Sequence, residues 1–311
     1  MSRPWLAVVA GVALSLVSIG AGPPPNMTPL TFNPLTASPA QLLAHHFPLR
    51  PKGTLAAKAW VAAMQRAKYV VTQPLQAQSN WTAGTPDQTW SGNIDNGSSD
   101  YTAVYMTWAV PGVSGSAGNS SAIWAGLGGW YGSALDQAGT FQQVSSGGQN
   151  YYQAFTESLP QQKTSVIQFP VHPGDTMYVA VSNYNTSYTN IFIEDETTGY
   201  IADPQVSEAP NHSSAEYIME RPQYSNSYGC VWYPVANFGR ATINNAEADT
   251  CTGTSTVSKY MGNWAHFFTL LRDDSGQFLD NVGAITNGGA SNPITFTHPG
   301  DTDQGACIVT P

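Results

Sequence analysis

Charge, cysteine and long apolar runs are all scarce in this chain of 311 residues. Charged residues make up 10% of it, and only 11 are Lys or Arg against 20 Asp and Glu. Nucleic-acid binding depends on clustered Lys and Arg that neutralise phosphates, so this composition argues against a nucleic-acid partner. Three cysteines are too few for a disulfide scaffold. The 41% hydrophobic content separates the chain from disordered proteins, which combine low hydrophobicity with high net charge.

One apolar run, at the N-terminus, approaches the length of a membrane-spanning helix. It extends from Trp5 to Ile19, follows Arg3 and ends among small residues. This pattern is typical of a cleaved signal peptide, here residues 1–20, and the run is short for a membrane span of about 20 residues. The alternative is a single anchoring helix. We therefore expect a secreted, extracellular protein with no membrane contact after cleavage.

The charges are distributed unevenly between two parts of the chain. Residues 1–78 contain six basic residues and no acidic one, whereas residues 79–311 contain all 20 acidic and five basic residues, a net charge of −15. Residues 53–69 are Ala-rich with apolar side chains at helical spacing, which predicts a helix, and residues 21–40 are typical of an extended linker. We interpret residues 21–78 as a basic pro-segment and intramolecular inhibitor that acid releases by protonating the carboxylates. The alternative is a helper for folding.

From residue 79 onward, short runs of Val, Ile, Tyr, Phe, Trp and Thr alternate with Gly, Asn, Ser, Pro and Asp. Many short strands separated by turn residues predict an all-β sandwich. Six segments are the clearest strands: Tyr101–Val110, Ser165–Val171, Thr176–Ser182, Asn190–Glu194, Ala215–Glu220 and Ala265–Leu271. No fixed-period repeat indicates a propeller or solenoid, so we expect one β-sandwich domain over residues 79–311.

The common catalytic patterns are missing. There is no HExxH zinc motif, no G-x-S-x-G elbow and no phosphate-binding glycine loop, and the six histidines are scattered. We therefore expect no metal and no cofactor. Cys230 and Cys251 form one of three possible cysteine pairings, so a disulfide between them is a weak prediction.

Carboxylates and carboxamides remain as candidate catalytic groups. In Ala215–Glu220, the alternation of a strand places Glu216 and Glu220 on one face, about 13 Å apart at ~3.3 Å per residue. In the same way, Gln153 and Glu157 share a face of a second strand. Periodicity alone leaves open whether these faces are solvated or line a substrate cleft.

Motifs in residues 79–285 are, in order and spacing, similar to those of the glutamic peptidases, or eqolisins, a family of pepstatin-insensitive acid endopeptidases. The matching segments are SNWTAG, which opens with Ser79-Asn80-Trp81, TWAVP ending at Pro111, Ile123–Gly129, Leu135–Thr140, Tyr152–Pro160, Pro173–Asp175, Ala215–Glu220 and Pro234–Phe238. Each motif is weak alone, and their order makes the resemblance specific.

The resemblance implies a β-sandwich of two antiparallel sheets and a catalytic dyad of Gln137 and Glu220. It also implies that Trp124 and Glu157 line the cleft, that Gln153 and Glu216 support it, and that Trp81 belongs to the mature N-terminal motif. The substrates would be polypeptides and the protein is expected to be a monomer.

The sequence departs from the family pattern at four positions: Gly128 replaces an Asp, Tyr217 replaces a Trp or Phe, Ser158 replaces an aromatic residue and Gln153 replaces an acidic one. These changes leave the dyad intact and affect the groups around it. A competing interpretation is a secreted carbohydrate-active sandwich, in which Glu157 and Glu220 form a carboxylate pair and aromatic residues stack on sugars.

Overall fold

The computed structural model describes residues 25–298 apart from 76–80, 83–88, 99, 148, 162–164, 186, 208–212, 227–228, 253–254, 264–265, 273–277 and 285–292. The predicted signal peptide lies outside the described residues. Among those described, no helix is both long and apolar enough to cross a membrane.

Two helices and two short strands form the N-terminal part of the chain: β1 Met27–Pro29, α1 Pro39–Ala44, α2 Thr54–Arg66 and β2 Tyr69–Val71. The predicted helix over 53–69 is confirmed as α2. The expected linker over 21–40 is wrong in part, because it contains β1 and the start of α1. The side chain of Ser38 accepts a hydrogen bond from Gln41 N, and Ser38 N donates one to Gln41 Oε1, so a capping box begins α1.

The remaining elements described are all strands, and they confirm the all-β prediction. They are β3 Trp81–Thr82, β4 Trp90–Asp95, β5 Tyr101–Ala109, β6 Ser120–Gly128, β7 Leu135–Gln143, β8 Tyr151–Leu159, β9 Val166–Pro170, β10 Thr176–Asn185, β11 Tyr188–Asp195, β12 Tyr200–Ala202, β13 Gln205–Ser207, β14 Ala215–Glu220, β15 Gln223–Asn226, β16 Gly229–Trp232, β17 Arg240–Thr252, β18 Ser255–Tyr260, β19 His266–Thr269, β20 Asn281–Val282 and β21 Ile294–Thr297.

These strands form two large sheets and one small one. The front sheet has the order β19-β4-β14-β6-β7-β8-β9, and the back sheet has the order β1-β2-β12-β11-β10-β5-β17-β21-β20, with β13 paired to β11 and β18 to β17. A small sheet of β16, β15 and β3 accompanies them. The predicted sandwich of two sheets is therefore confirmed.

Side chains from one face of each sheet make the main core. Alternate residues of β14, such as Tyr217 and Met219, pack there with Val104, Met106 and Trp108 of the back sheet. Trp108 Nε1 also donates a hydrogen bond to Thr140 Oγ1 of the front sheet at 3.1 Å. Because neighbouring residues of a strand point in opposite directions, each sheet has a second face directed away from this core.

The second face of each sheet carries its own cluster of buried side chains. On the front sheet the cluster contains Trp90, Trp124 and Phe155. On the back sheet, helices α1 and α2 cover the second face and bury residues such as Tyr178 and Phe192. The helices and the candidate catalytic residues thus lie on opposite sides of the sandwich.

Candidate active site

Strand register brings the predicted catalytic residues onto the second face of the front sheet. On β6, Trp124 lies opposite Ile218 of β14 and opposite Gly139 of β7. On β14, Glu220 follows Ile218 by two residues. On β7, at the other side of β6, Gln137 precedes Gly139 by two residues. Trp124 therefore stands diagonally between the two members of the predicted dyad.

A hydrogen bond fixes the predicted catalytic carboxylate. Trp124 Nε1 donates to Glu220 Oε2 at 2.6 Å, and both side chains are buried. An indole N–H only donates, so this contact favours an oxygen that carries negative charge. Trp90 packs edge-on against Trp124 with ring centroids 4.7 Å apart, which holds the indole in place.

The predicted catalytic amide is fixed in a similar way by a second carboxylate. Gln137 and Glu157 face each other across β7 and β8, and Gln137 Nε2 donates to Glu157 Oε2 at 2.6 Å. Both side chains are fully buried. Among the described residues, Gln137 Oε1 has no hydrogen-bond partner. A buried polar atom without a partner is costly, so this oxygen is a natural place for a water molecule.

Glycines on β6 and β7 make room for these side chains. A Cβ atom at Gly139 would lie 2.5 Å from the Cβ of Trp124, and one at Gly126 would lie 3.1 Å from the Cβ of Gln137. Gly128, which replaces the family's Asp, has a φ of 81°. Side-chain-bearing residues rarely adopt this left-handed conformation, so the backbone here suits glycine better than Asp.

The predicted supporting residues divide into two groups. Glu216 is fully buried on the same face as Glu220, and burial, reinforced by the negative charge of Asp95, raises the pKa of its carboxyl well above the usual range. Gln153, by contrast, is only half-buried, four residues before Glu157, and lines a separate cavity of about 740 Å³ with Tyr151 and His172. Glu216 therefore shares the buried sheet face with Glu220, whereas Gln153 lies nearer the surface.

Two predictions concern side chains outside the described residues. Trp81 is described only by its backbone, which pairs with Tyr224 in the small sheet. Cys251 lies on β17 opposite Thr256, whereas the side chain of Cys230 lies outside the described residues. The disulfide between Cys230 and Cys251 stays a prediction.

Arg221, the residue directly after Glu220, was not predicted from the sequence. Its side chain is fully buried, its Nε donates to the Tyr233 carbonyl at 2.7 Å, and its guanidinium lies 5.1 Å from the centre of the Trp232 ring. Tyr233 packs in turn on the cluster around Trp124. Arg221 thus ties the segment after β16 to the end of β14. A single Arg beside a strand carries no local signal of this role, because the contacts come from tertiary structure.

Within the described ranges, no group of three or more His, Cys, Asp or Glu side chains is placed to hold a metal ion. The groups available at this site are a carboxylate, a carboxamide and their hydrogen-bond partners. This set can move a proton and stabilise an oxyanion.

Comparison with known proteins assigns this chain to a family. Residues 88–269 match the Peptidase A4 family. The chain belongs to that family. Scytalidopepsin B of Scytalidium lignicola is 27% identical over 212 residues, which cover 66% of this chain and 78% of that protein. The peptidase assignment decides against the carbohydrate-active alternative.

Solved structures agree on the fold of this peptidase. Scytalido-glutamic peptidase bound to a transition-state analogue inhibitor matches with a TM-score of 0.56 and 20% identity, over 68% of this chain and 98% of that one. The eqolisin SCP-B, solved with the tripeptide Ala-Ile-His, matches with the same TM-score and identity. The present peptidase is therefore an eqolisin, or glutamic peptidase, with the expected sandwich.

Proposed function

We propose that this peptidase is a secreted acid endopeptidase in which Glu220 and Gln137 form the catalytic dyad. The observation that carries the proposal is the pairing of these two side chains with Trp124 and Glu157 on one buried sheet face. Each dyad member is held by a hydrogen bond of 2.6 Å, so both are oriented before substrate binds.

Glu220 is the general base and then the general acid. As a carboxylate it takes a proton from water while the water oxygen bonds to the carbonyl carbon of the scissile peptide. When the carbon–nitrogen bond breaks, Glu220 returns this proton to the leaving amine. The Trp124 N–H donates to Oε2 and so orients the carboxyl group for this proton exchange.

Gln137 does not titrate and therefore has a different role. Its amide nitrogen has two N–H groups, and one of them is bonded to Glu157. The second N–H is available to the oxyanion that develops on the substrate carbonyl, and Oε1 can accept a hydrogen bond from the attacking water. Removing one oxyanion donor typically lowers the rate by about 10²–10³-fold.

The dyad suits an acid optimum. Aspartic peptidases work in acid because two carboxylates share one proton. Here an uncharged amide takes one of the two places, so only Glu220 has to be ionised. The raised pKa of Glu216 keeps its carboxyl uncharged in acid, so Glu216 adds no negative charge to the buried face that carries Glu220.

The test compares three purified chains, wild type, Glu220→Gln and Gln137→Ala, on a protein substrate at pH 2–4 with pepstatin present. We expect wild-type cleavage that pepstatin does not block and a fall of at least about 100-fold in each variant. Gln149→Ala, near a turn before β8, is the matched control and should leave the rate unchanged. Near-full activity in either dyad variant would show that the assignment is wrong.

The proposal includes secretion through residues 1–20 and synthesis as an inactive precursor. In the full chain Gln137 and Glu157 are 0% exposed and Glu220 is 1% exposed. A polypeptide substrate has no access to side chains buried in this way, which supports a precursor that has to open. The helices of residues 21–78 lie on the back sheet, so they do not inhibit by covering the dyad.

A further inference from the structure

The second face of the back sheet is apolar over a wide area. It is formed by Ala103, Tyr105, Tyr178, Ala180, Phe192 and Ile201, all buried. Residues 25–75, here called the N-terminal brace, supply the partners of this face. The match to the Peptidase A4 family begins at residue 88, so the brace lies outside the matched region.

The brace packs on the sheet through large buried side chains. Phe47 meets Phe192 edge to face with ring centroids 5.1 Å apart. Trp60 of α2 is 3% exposed, and its Nε1 donates to the Pro48 carbonyl at 3.0 Å, which joins the helix to the preceding turn. Met64 and Leu42 are buried in the same cluster. Without the brace, this apolar face would be exposed to water.

Backbone hydrogen bonds add the brace to the sheet itself. Strand β2 pairs in parallel with β12, with Tyr69 opposite Tyr200. Lys68 N and Tyr69 N both donate to the Gly199 carbonyl at 3.0 Å. These bonds cover the edge of β12, which would otherwise present unpaired backbone groups.

Polar contacts at the two ends of α2 complete the docking. At the start of the helix, Leu55 N donates to Glu247 Oε1 of β17 at 2.9 Å, and a carboxyl oxygen accepts this bond whether or not it is ionised. At the other end, Arg66 Nη1 meets Glu196 Oε2 at 2.7 Å, with the Arg66 side chain 52% exposed. The Glu196 side chain is only 7% exposed, so this single ion pair is partly buried. The rest of the contact is apolar packing and backbone hydrogen bonds, which do not titrate.

We propose that the N-terminal brace is a lasting component of the folded peptidase and stays bound, without a covalent link, after the chain is cut between residues 75 and 81. It fits the back sheet as a second chain in acid as well as at neutral pH. This differs from a pro-segment that acid releases, because the contact does not depend on opposite charges.

The test uses the full chain with a recognition sequence for a site-specific protease inserted after Leu75. After cutting, size-exclusion chromatography is run at pH 4 and pH 7. We expect both fragments to elute together at both pH values and to unfold in one transition. Separate elution of a brace fragment and a folded catalytic fragment at either pH would overturn the proposal.

A matched pair of variants tests the contact itself. Trp60→Ala removes a buried side chain of α2, whereas Lys58→Ala removes an exposed one from the same helix. We expect Trp60→Ala to weaken retention of the cut brace by at least about 100-fold and Lys58→Ala to leave it unchanged. Equal retention in both variants would contradict the proposed packing.

Hydrogen exchange on the cut wild-type protein gives an answer even where Trp60→Ala fails to fold. The amides of Lys68 and Tyr69 should stay protected after cutting, because both donate to the Gly199 carbonyl beside β12. Loss of that protection in a folded catalytic fragment would overturn the proposal. Neither measurement depends on catalysis, so these results are separate from those for the dyad.

Discussion

Stability should fall as pH rises from 4 to 7, because buried carboxyl groups hold protons in the folded state. Asp95 is fully buried at the end of β4, and its Oδ1 accepts hydrogen bonds from Asn93 Nδ2 at 2.8 Å and Gly262 N at 3.0 Å. Burial raises its pKa from 3.8 to about 7. Burial likewise raises the pKa of Asp280 to about 7.

The sign and size of the effect follow from proton linkage. A group whose pKa is raised by folding contributes stability that is fully present below its unfolded pKa and is lost as pH rises through its folded pKa. Between pH 4 and pH 7 each such carboxyl keeps a proton that the unfolded chain has lost, at about 1.4 kcal/mol per pH unit. Asp95 and Asp280 together give about 8 kcal/mol over this range, an upper bound comparable to the whole stability of a typical domain.

Urea unfolding of the full chain at pH 4.0, 5.5 and 7.0 measures this loss. We expect the free energy of unfolding to decrease at each step. Asp95→Asn keeps an oxygen acceptor and cannot ionise, so it should reduce the slope by about 1.4 kcal/mol per pH unit. Asp100→Asn, at an exposed aspartate between β4 and β5, is the control and should keep the wild-type slope. Stability that is flat or rises from pH 4 to pH 7, or an unchanged slope in Asp95→Asn, would refute the reasoning.

Two further predictions concern strands β7 and β8, which carry Gln137 and Glu157. Glu157→Leu removes the acceptor of Gln137 Nε2, so kcat/KM should fall about 100-fold, with partial rescue by Glu157→Gln, which keeps an oxygen acceptor. Equal rates in both variants would contradict this positioning role. Gly139→Ala places a Cβ 2.0 Å from the Ile123 carbonyl oxygen and should destabilise the fold by about 1–3 kcal/mol or more by overpacking. Gly147→Ala, where the nearest atom is 3.6 Å away, is its control in thermal unfolding, and equal melting temperatures would contradict the crowding.

Local structure was the part of this fold that the sequence predicted best. Strand β14 has the bounds Ala215–Glu220 that alternation predicts, and α2 lies within the predicted 53–69. Both signals are local, because they depend on neighbouring residues of one element. Strand order was not predictable in the same way. Strand β5 pairs with β17, so Tyr105 faces Glu247 across a long separation in sequence, and no local pattern encodes this contact.

In the candidate site, too, the local motifs were predictable from the sequence and the tertiary contacts were not. Motif order indicated Gln137 and Glu220, and register then brought both to one face. Alternation alone could not decide whether this face was solvated, since a period of two describes a wet and a buried face equally well. The structure places Glu220 and Glu216 in buried positions. The docking of α2 on the back sheet was also beyond the sequence, because an amphipathic helix does not reveal which surface it covers.

Because basic residues are scarce, protons bound to buried carboxyl groups help to stabilise the fold of this peptidase. Residues 79–311 contain five Lys and Arg against 20 carboxylates, so most acidic side chains there have no cation to pair with. A buried carboxylate without a cation is costly, and protonation is the remaining way to neutralise it. Glu194 and Glu216 follow this logic, since burial raises the pKa of both. Low pH supplies the neutralisation that Lys and Arg provide in other proteins, so the fold is suited to the acid conditions in which the proposed dyad works.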